Sequence, residues 1–407
     1  MRKEMKKEKI TLAFIGCGGF ARFFVPLCLA HPMVERVYVC DKIPERAQDY
    51  SKKFGTPIID SFEEVIARED IDGVLIFTQR HLHGDLVLAA LDAGKHVYSA
   101  VPMATTVEEC GEIVERVRRS GLIYMMGETC YYYPCAMFCR EAYAAGRFGK
   151  FVYGASQYYH DIDAISYGKT PMEGGMPPLL YPTHSTAMIL SAVDSYVTRV
   201  SCFGYRDTEG DGRFGKGQNY WDNEFSNQYV LMELANGGTA RVTEARRIGW
   251  KSPSSYISAL YGTLGGYEFS NAQHILVERD RESEREHVRL TDVSDYVNPA
   301  EMVAHKDDPN FMECVANSMW QWGSAAAVQA GEVARLPKEY DAVKQNGHMA
   351  SHKLLIDDFV KAVVTGRQPI LNAARAARYT VPGLVAIESC KQGGIPLDVP
   401  DFGDSVE

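Results

Sequence analysis

Tyr181-Pro182-Thr183-His184 puts a phenol and an imidazole at the start of an apolar run, THSTAMILSAV, that reads as a helix. A three-residue spacing at a helix start lets both side chains face one cleft. Such a pair can take a proton from a hydroxyl and later return it. Pro177, Pro178 and Pro182 fix the backbone ahead of it, and Thr183 suits a helix cap. The plainer use of a buried histidine is a core residue with a satisfied hydrogen bond. The proline-rich lead-in and the neighbouring tyrosine set the two uses level.

A second group is built for phosphates. Gly16-Cys17-Gly18-Gly19-Phe20-Ala21 fits G-x-G-x-x-A between a buried strand and a helix. Gly16 permits the tight turn, Gly18 lets a pyrophosphate approach the backbone, Ala21 allows close helix–strand packing, and the helix N-terminus offers N–H donors. Asp41 ends the next strand, about 20 residues on, where a carboxylate binds ribose hydroxyls and repels a 2′-phosphate. NAD is therefore expected, in preference to NADP. Thr78 and Arg80, in FTQRHLHGD after the third strand, can line the cofactor cleft. His81 and His83 share a face only on a strand and have no third ligand, so no metal is expected and His83 goes with the cofactor loop.

Amides and aromatics form a third group. Tyr131 and Tyr133 in YYYP, Tyr159 in GASQYYHD, and Asn219, Trp221 and Asn223 in GQNYWDNEF offer flat apolar faces and bidentate polar groups. Sugar sites need that mixture. Hairpin turns also use Asn freely, which gives Asn219, Asn223 and Asn227 an equal claim to a structural role. The stretch YSAVPMATT, residues 98–106, is inert by contrast: it holds no acid, no base and no nucleophile beyond hydroxyls.

The elements that must position these groups fall into two halves. Strands at ITLAFI, VERVYVCD, DGVLIFT, KHVYS and LIYMMG alternate with helices at IPERAQDYSKKF, HGDLVLAALDA and TVEECGEIVERVRRS. That grammar predicts an α/β fold with a Rossmann-type doubly wound parallel sheet over residues 1–128. From 129 to 407 the strands alternate apolar and polar residues and are joined by Gly or Asn-Gly turns, as in KFVYGASQYYHD, SYVTRVSCFGYR, NQYVLMELANGGTARVTEARR and YISALYGTLGGYEFS. This predicts a second α/β domain with a large, open, mostly antiparallel sheet. Helices interrupt it at THSTAMILSAV, HKLLIDDFVKAVVTG and AARAARYTVPGLVAIESCKQGG, the last free to return to the first domain.

Composition narrows the partners. With 407 residues, 46% hydrophobic, and a net charge of −10, the chain lacks the basic face that nucleic acid or an anionic membrane requires. No apolar run is long enough to cross a bilayer. The N-terminus MRKEMKKEKI lacks a signal's apolar core and is expected to be a short frayed arm. Ten cysteines without a C-x-x-C pair suit reduced thiols in a cytoplasmic protein.

On GCGGFA, FTQRHLHGD, KHVYSAVPMATTVEE and the second-domain sheet, the chain resembles the glucose–fructose oxidoreductase/inositol dehydrogenase (Gfo/Idh/MocA) family over essentially its whole length. In ordinary dehydrogenases of that family the fourth strand ends in Glu-Lys-Pro, whose lysine helps remove the alcohol proton, and an Asp-x-x-x-His motif supplies the partner. Here the resemblance aligns Ala100-Val101-Pro102 with the first and Leu180–His184 with the second. Lysine and aspartate are gone, His184 stays and Tyr181 is added. The resemblance also places Gly19, Phe20, Ala100, Val101, Pro102 and Glu128 at the cofactor.

One branch, the NAD-dependent α-N-acetylgalactosaminidases, shares the Val at 101, Tyr-Pro-Thr-His, and the surroundings MMGETCYYYP and NYWDNEF. Those are glycoside hydrolases. They oxidise sugar C3 transiently, eliminate the aglycone, add water and reduce C3 again. Ala100 departs from their Glu. The resemblance thus implies a glycoside hydrolase with base chemistry moved to Tyr181 and His184, acting on a carbohydrate or glycoside. A sugar or cyclitol dehydrogenase with His184 as base is the alternative, and a non-catalytic NAD/sugar sensor the third reading. It also implies a homo-oligomer packed through the open sheet's outer face.

Overall fold

Six buried residues in a row, Ile10–Ile15, all apolar but Thr11, are covered on both faces, as only a strand inside a parallel sheet is, and that is where β1 lies. The computed structural model describes residues 8–162, 174–249, 254–270, 273–280, 287–316, 328, 330–343 and 350–404. Most of the expected N-terminal arm, residues 1–7, lies outside them. After β1 come α1 (Val25–Ala30), β2 (Val34–Cys40), α2 (Pro44–Phe54), α3 (Phe62–Ala67), β3 (Gly73–Ile76), α4 (His83–Asp92), β4 (His96–Ser99), α5 (Val107–Ser120) and β5 (Tyr124–Met126). The five strands are parallel in the order β2-β1-β3-β4-β5, as the alternating grammar predicts. The order reverses between β1 and β3, so the turns after those strands flank the crevice where open α/β sheets bind ligands. α5 starts at a capping box, Thr106 with Glu109, and stops at Gly121 with φ +69°.

One expectation is corrected here. No helix springs directly from the glycine turn. A single 3₁₀ turn, Ala21–Phe23, comes first, and α1 begins at Val25. Pro26 has no N–H and fits only the first turn of a helix, so it sets the start.

The second half opens with α6 (Pro134–Ala144) and β6 (Phe151–Tyr159), then α7 (Thr183–Val193). β7 (Val197–Arg206), β8 (Phe225–Leu234), β9 (Thr239–Ala245), β10 (Ser255–Gly262), β11 (Gly265–Ser270), β12 (Gln273–Asp280) and β13 (His287–Asp292) follow. Four short helices, α8 (Ser294–Val297), α9 (Ala300–Ala304), α10 (Phe311–Ala316) and α11 (Ala330–Ala334), lead to α12 (Ser351–Thr365), α13 (Ala373–Lys391) and β14 (Leu397–Asp398). The nine-stranded sheet runs β13-β12-β11-β10-β6-β9-β8-β7-β14, and among the described residues every pairing is antiparallel except β6 with β9. β12 and β13 extend it beyond the stretch read from alternation, because a dense charged run obscures their pattern.

α7 is buried along all its residues, between β6, β9 and β10 on one side and α13 on the other. α13 also packs on α5 and β5, while Met126 N donates to Leu371 O at 3.0 Å. Among the described residues no helix is long and apolar enough to cross a membrane.

A candidate active site between the two sheets

Gly16 has φ +99°, and a Cβ there would lie 2.5 Å from Phe77 O, so β1 and β3 can approach only with glycine between them. Gly18 and Gly19 are the opposite case: a Cβ on either would meet nothing within 4 Å. That open space over a glycine backbone is what a pyrophosphate requires. Asp41 closes the turn, its Oδ2 accepting from Cys17 N at 2.7 Å and its Oδ1 from Ile43 N at 2.8 Å. Its carboxylate thus stands at the glycine turn with lone pairs to spare. Tyr50 from α2 donates its hydroxyl to Gly18 O. Cys17 is no nucleophile, because burial and the Asp41 charge push its thiol up to about 12. Ala21 is buried beneath the turn, and Phe20 is exposed at its rim, edge-on to Phe24.

The turns after β3 and β4 form the other wall. Thr78 Oγ1 is buried with no hydrogen-bond partner among the described residues, an orphan that a ligand hydroxyl would satisfy. The residues present therefore fit a dinucleotide: open glycines, a carboxylate at the ribose position, and an unmatched hydroxyl. Ala100, Val101 and Pro102 follow β4, with a cis peptide before Pro102 and Val101 buried.

His83 differs from its expected place on the cofactor loop. It is buried, its Nδ1 donating to Pro102 O at 2.7 Å while Nε2 faces Thr78 O at 3.3 Å, so the ring sits between the two turns and its one N–H bonds the second of them. Burial lowers its pKa from 6.5 to about 4. The folded state holds it neutral, while the unfolded chain takes up a proton below pH 6.5. Stability should accordingly fall as pH drops from 6.5 towards 4, by about 1.4 kcal/mol per pH unit for this group. Melting curves at pH 7 and 5 should show the loss, and His83→Gln should flatten it. An unchanged slope in that variant would remove His83 as the cause.

On the far side of the crevice three side chains join in a line. His184 Nδ1 lies 2.7 Å from Glu128 Oε1, and His184 Nε2 lies 2.8 Å from Tyr181 OH. A carboxylate only accepts, so Nδ1 carries the proton and Nε2 accepts from the phenol. Glu128 ends β5's turn and also accepts from Cys130 N at 2.8 Å, which fixes its direction. The sequence expectation gave Glu128 to the cofactor. The structure aims its Oε1 at His184 instead, across 56 positions of chain that no spacing rule spans. Glu128, Cys130 and His184 place ligand-type atoms within 4.8 Å of one another, a grouping in which the Glu128–His184 hydrogen bond already joins two of the three.

The turn carrying Tyr181 is pinned from β8 and β9. Gln228 Oε1 accepts from Leu179 N at 3.0 Å, and Arg246 donates to Pro178 O at 3.1 Å. Arg246 also pairs with buried Glu244, which binds Ser185. Burial raises Glu244 to about 8 despite that cation. Arg246 lies over the Tyr158 ring at 5.0 Å, and Arg80 over the Tyr181 ring at 4.5 Å. Tyr158 meets His184 edge-on at 5.1 Å and stacks on His160 at 5.3 Å. Burial, with Arg246, Arg80 and His184 nearby, lowers His160 to about 3, so it is neutral here.

Tyr158 is the β6 residue at the site, where Tyr159 was expected. Strand residues alternate faces, so Tyr159 points to the opposite side and packs against Tyr256. The other expected sugar contacts are placed as follows. Tyr131 lies under Arg140 and lines a separate cleft with Tyr132, Asp358 and Lys361. Asn219 donates to Arg213 O, Gly215 O and Asn223 O while accepting from Trp221 N and Asn223 N. Asn223 donates to Gly175 O and Phe225 O. Both amides fold the 207–224 loop and tie it to the proline-rich lead-in. Trp221 is half-buried beside Tyr220 in that loop, and Tyr133 is buried at the start of α6.

Residues 10–128 match the family model described as oxidoreductase family, NAD-binding Rossmann fold. The first domain is therefore an NAD-binding Rossmann domain, and the resemblance read from GCGGFA and its companions is borne out. A glycosyl hydrolase family 109 protein of Saccharopolyspora erythraea is 24% identical over 97% of this chain and 83% of its own length. Among solved structures, levoglucosan dehydrogenase in complex with NADH and levoglucosan superposes with a TM-score of 0.71, at 18% identity over 97% of this chain and 100% of that one. Apo scyllo-inositol dehydrogenase from Lactobacillus casei gives 0.66 at 14% identity, over 97% and 99%. These two similarities carry the fold of both domains.

Proposed function

We propose that this chain, with its NAD-binding Rossmann domain, is a sugar-active enzyme that cleaves glycosides by transient oxidation and elimination. The Glu128–His184–Tyr181 line carries the reading. It supplies a proton acceptor on the wall opposite Val101, which has no group to accept one. Bound NAD would supply the reversible oxidation of the sugar's C3. Val101, Ala100 and Thr78 would hold it against the Gly16–Ala21 turn, with Asp41 at the ribose.

The chain's own residues then manage protons. Tyr181, relieved of its proton by His184 Nε2, accepts one from the substrate hydroxyl, and Glu128 stabilises the imidazolium that forms. The same line returns the proton when the cycle closes. Tyr158 and neutral His160 offer a flat aromatic wall beside it, suited to a sugar ring. The names of the family 109 relatives support hydrolysis as the outcome.

Aryl glycosides in heavy water test the reading. Released sugar should carry deuterium at C2, whose proton leaves during elimination and returns from solvent, with no lasting rise in NADH. Direct displacement by two carboxylates would leave C2 untouched. NADH accumulating with a ketone product, and no aglycone released, would make the protein a sugar or cyclitol dehydrogenase. We further infer a homo-oligomer covering the outer face of the nine-stranded sheet, where Phe203 and Leu231 are 63% and 61% exposed; sedimentation equilibrium reads this directly.

A further inference from the structure

Two thiols outside the candidate site meet where β7 packs on α13. Cys202 lies on β7 and Cys390 in the last turn of α13, with the two thiols near enough for each to shift the other's acidity. The backbone holds the meeting in place: Cys202 N donates to Ser389 Oγ at 3.0 Å. Gly204, two residues on, makes room for it, since a Cβ there would lie 2.8 Å from Cys390 Sγ.

We propose that Cys202 and Cys390 form a reversible disulfide when the reduced pair meets a hydroperoxide. The Cys390 thiolate attacks one peroxide oxygen and breaks the O–O bond, giving a sulfenic acid and an alcohol that carries away its proton. The Cys202 sulfur then attacks Cys390 and displaces water. Two thiols are oxidised, and one peroxide is reduced to an alcohol and water.

Cys390 is the first to react because its environment favours the thiolate. Cys202 and Gln228 beside it favour the charged form and Arg206 adds positive charge, which together outweigh burial. Cys202 is pushed the other way, by Cys390 and by burial. In the closed fold Cys390 is only 5% exposed. It sits at a helix end followed by Gly393 and Gly394, where fraying is least costly and admits a small oxidant.

The bridge would clamp the helix on which the Tyr181–His184 segment rests. Thr186 Oγ1 donates to Tyr379 O at 2.7 Å, and Gly383 lies against Pro182. Cross-linking α13 to β7 closes a long loop and should stabilise the fold.

The test uses the full chain, reduced, desalted and exposed to hydrogen peroxide. Non-reducing peptide mapping should find the Cys202 and Cys390 peptides joined, two hydrogens lighter. Tm should rise by a few degrees, and dithiothreitol should reverse both changes. In Cys202→Ser, Cys390 should stop at a sulfenic acid trapped by dimedone, with no rise in Tm; circular dichroism confirms that the variant folds. The proposal is overturned if both thiols remain alkylatable after peroxide, or if half-exposed Cys314 is oxidised while the pair stays reduced.

Discussion

Replacing His184 by alanine is expected to lower turnover by ~10²–10⁴-fold, the usual worth of a positioned general base, while NAD affinity stays unchanged. The separation of the two effects follows from the fold. His184 belongs to α7, buried among the second-domain strands, and the glycine turn belongs to the first sheet. The His184 ring bonds Glu128 and Tyr181, both outside the glycine turn. Tyr181→Phe removes one hydroxyl and should cost nearly as much, because the imidazole then has no phenol through which to act. Glu128→Gln should cost less. An amide oxygen can still accept from Nδ1 and hold the ring, but it cannot balance the charge of an imidazolium. The three variants therefore rank in a set order, with Glu128→Gln the mildest. Steady-state kinetics with calorimetric titration of NAD would show it. Near-full activity in His184→Ala would remove the line from the mechanism.

Gly16→Ala and Gly18→Ala should fail in different ways, although the two residues lie two positions apart. A methyl on Gly16 would sit 2.5 Å from Phe77 O, in a backbone with φ +99° that L residues rarely adopt. That contact, with a backbone carbonyl, cannot yield without parting β1 from β3. The cost is about 1–2 kcal/mol for the left-handed backbone and about 1–3 kcal/mol for overpacking. The variant should be visibly destabilised before any cofactor is added. A methyl on Gly18 meets nothing within 4 Å, so Gly18→Ala should melt like the parent. It should nevertheless lose NAD affinity, since the methyl occupies the space above the backbone that the pyrophosphate needs. Thermal melts and NAD titrations on both proteins separate the cases. Equal NAD affinity in Gly18→Ala and the parent would move the pyrophosphate off this turn.

Local sequence determined the parts of this protein that depend on neighbours in the chain. The apolar run of β1, the G-x-G-x-x-A turn and Asp41 announced a cofactor sheet, because strand, turn and cap chemistry act over a few residues. Tyr181 and His184 were legible for the same reason: three positions at a helix start share a face. Only the tertiary structure could supply Glu128 as the partner of His184, since β5 and α7 meet through sheet order and not through spacing. It likewise chose Tyr158 over Tyr159. Both are aromatic and adjacent, and which one faces the site depends on which face of β6 the buried α7 covers. Asn219 and Asn223 look the same in a sequence whether they bind a sugar or fold a loop; the acceptors around their amides decided it. His83 reads as a cofactor-loop residue until the Pro102 carbonyl, 19 positions along the chain, takes its one N–H. Composition and period fix what each segment can be, and a hydrogen-bond partner far along the chain exists only once the sheets have packed.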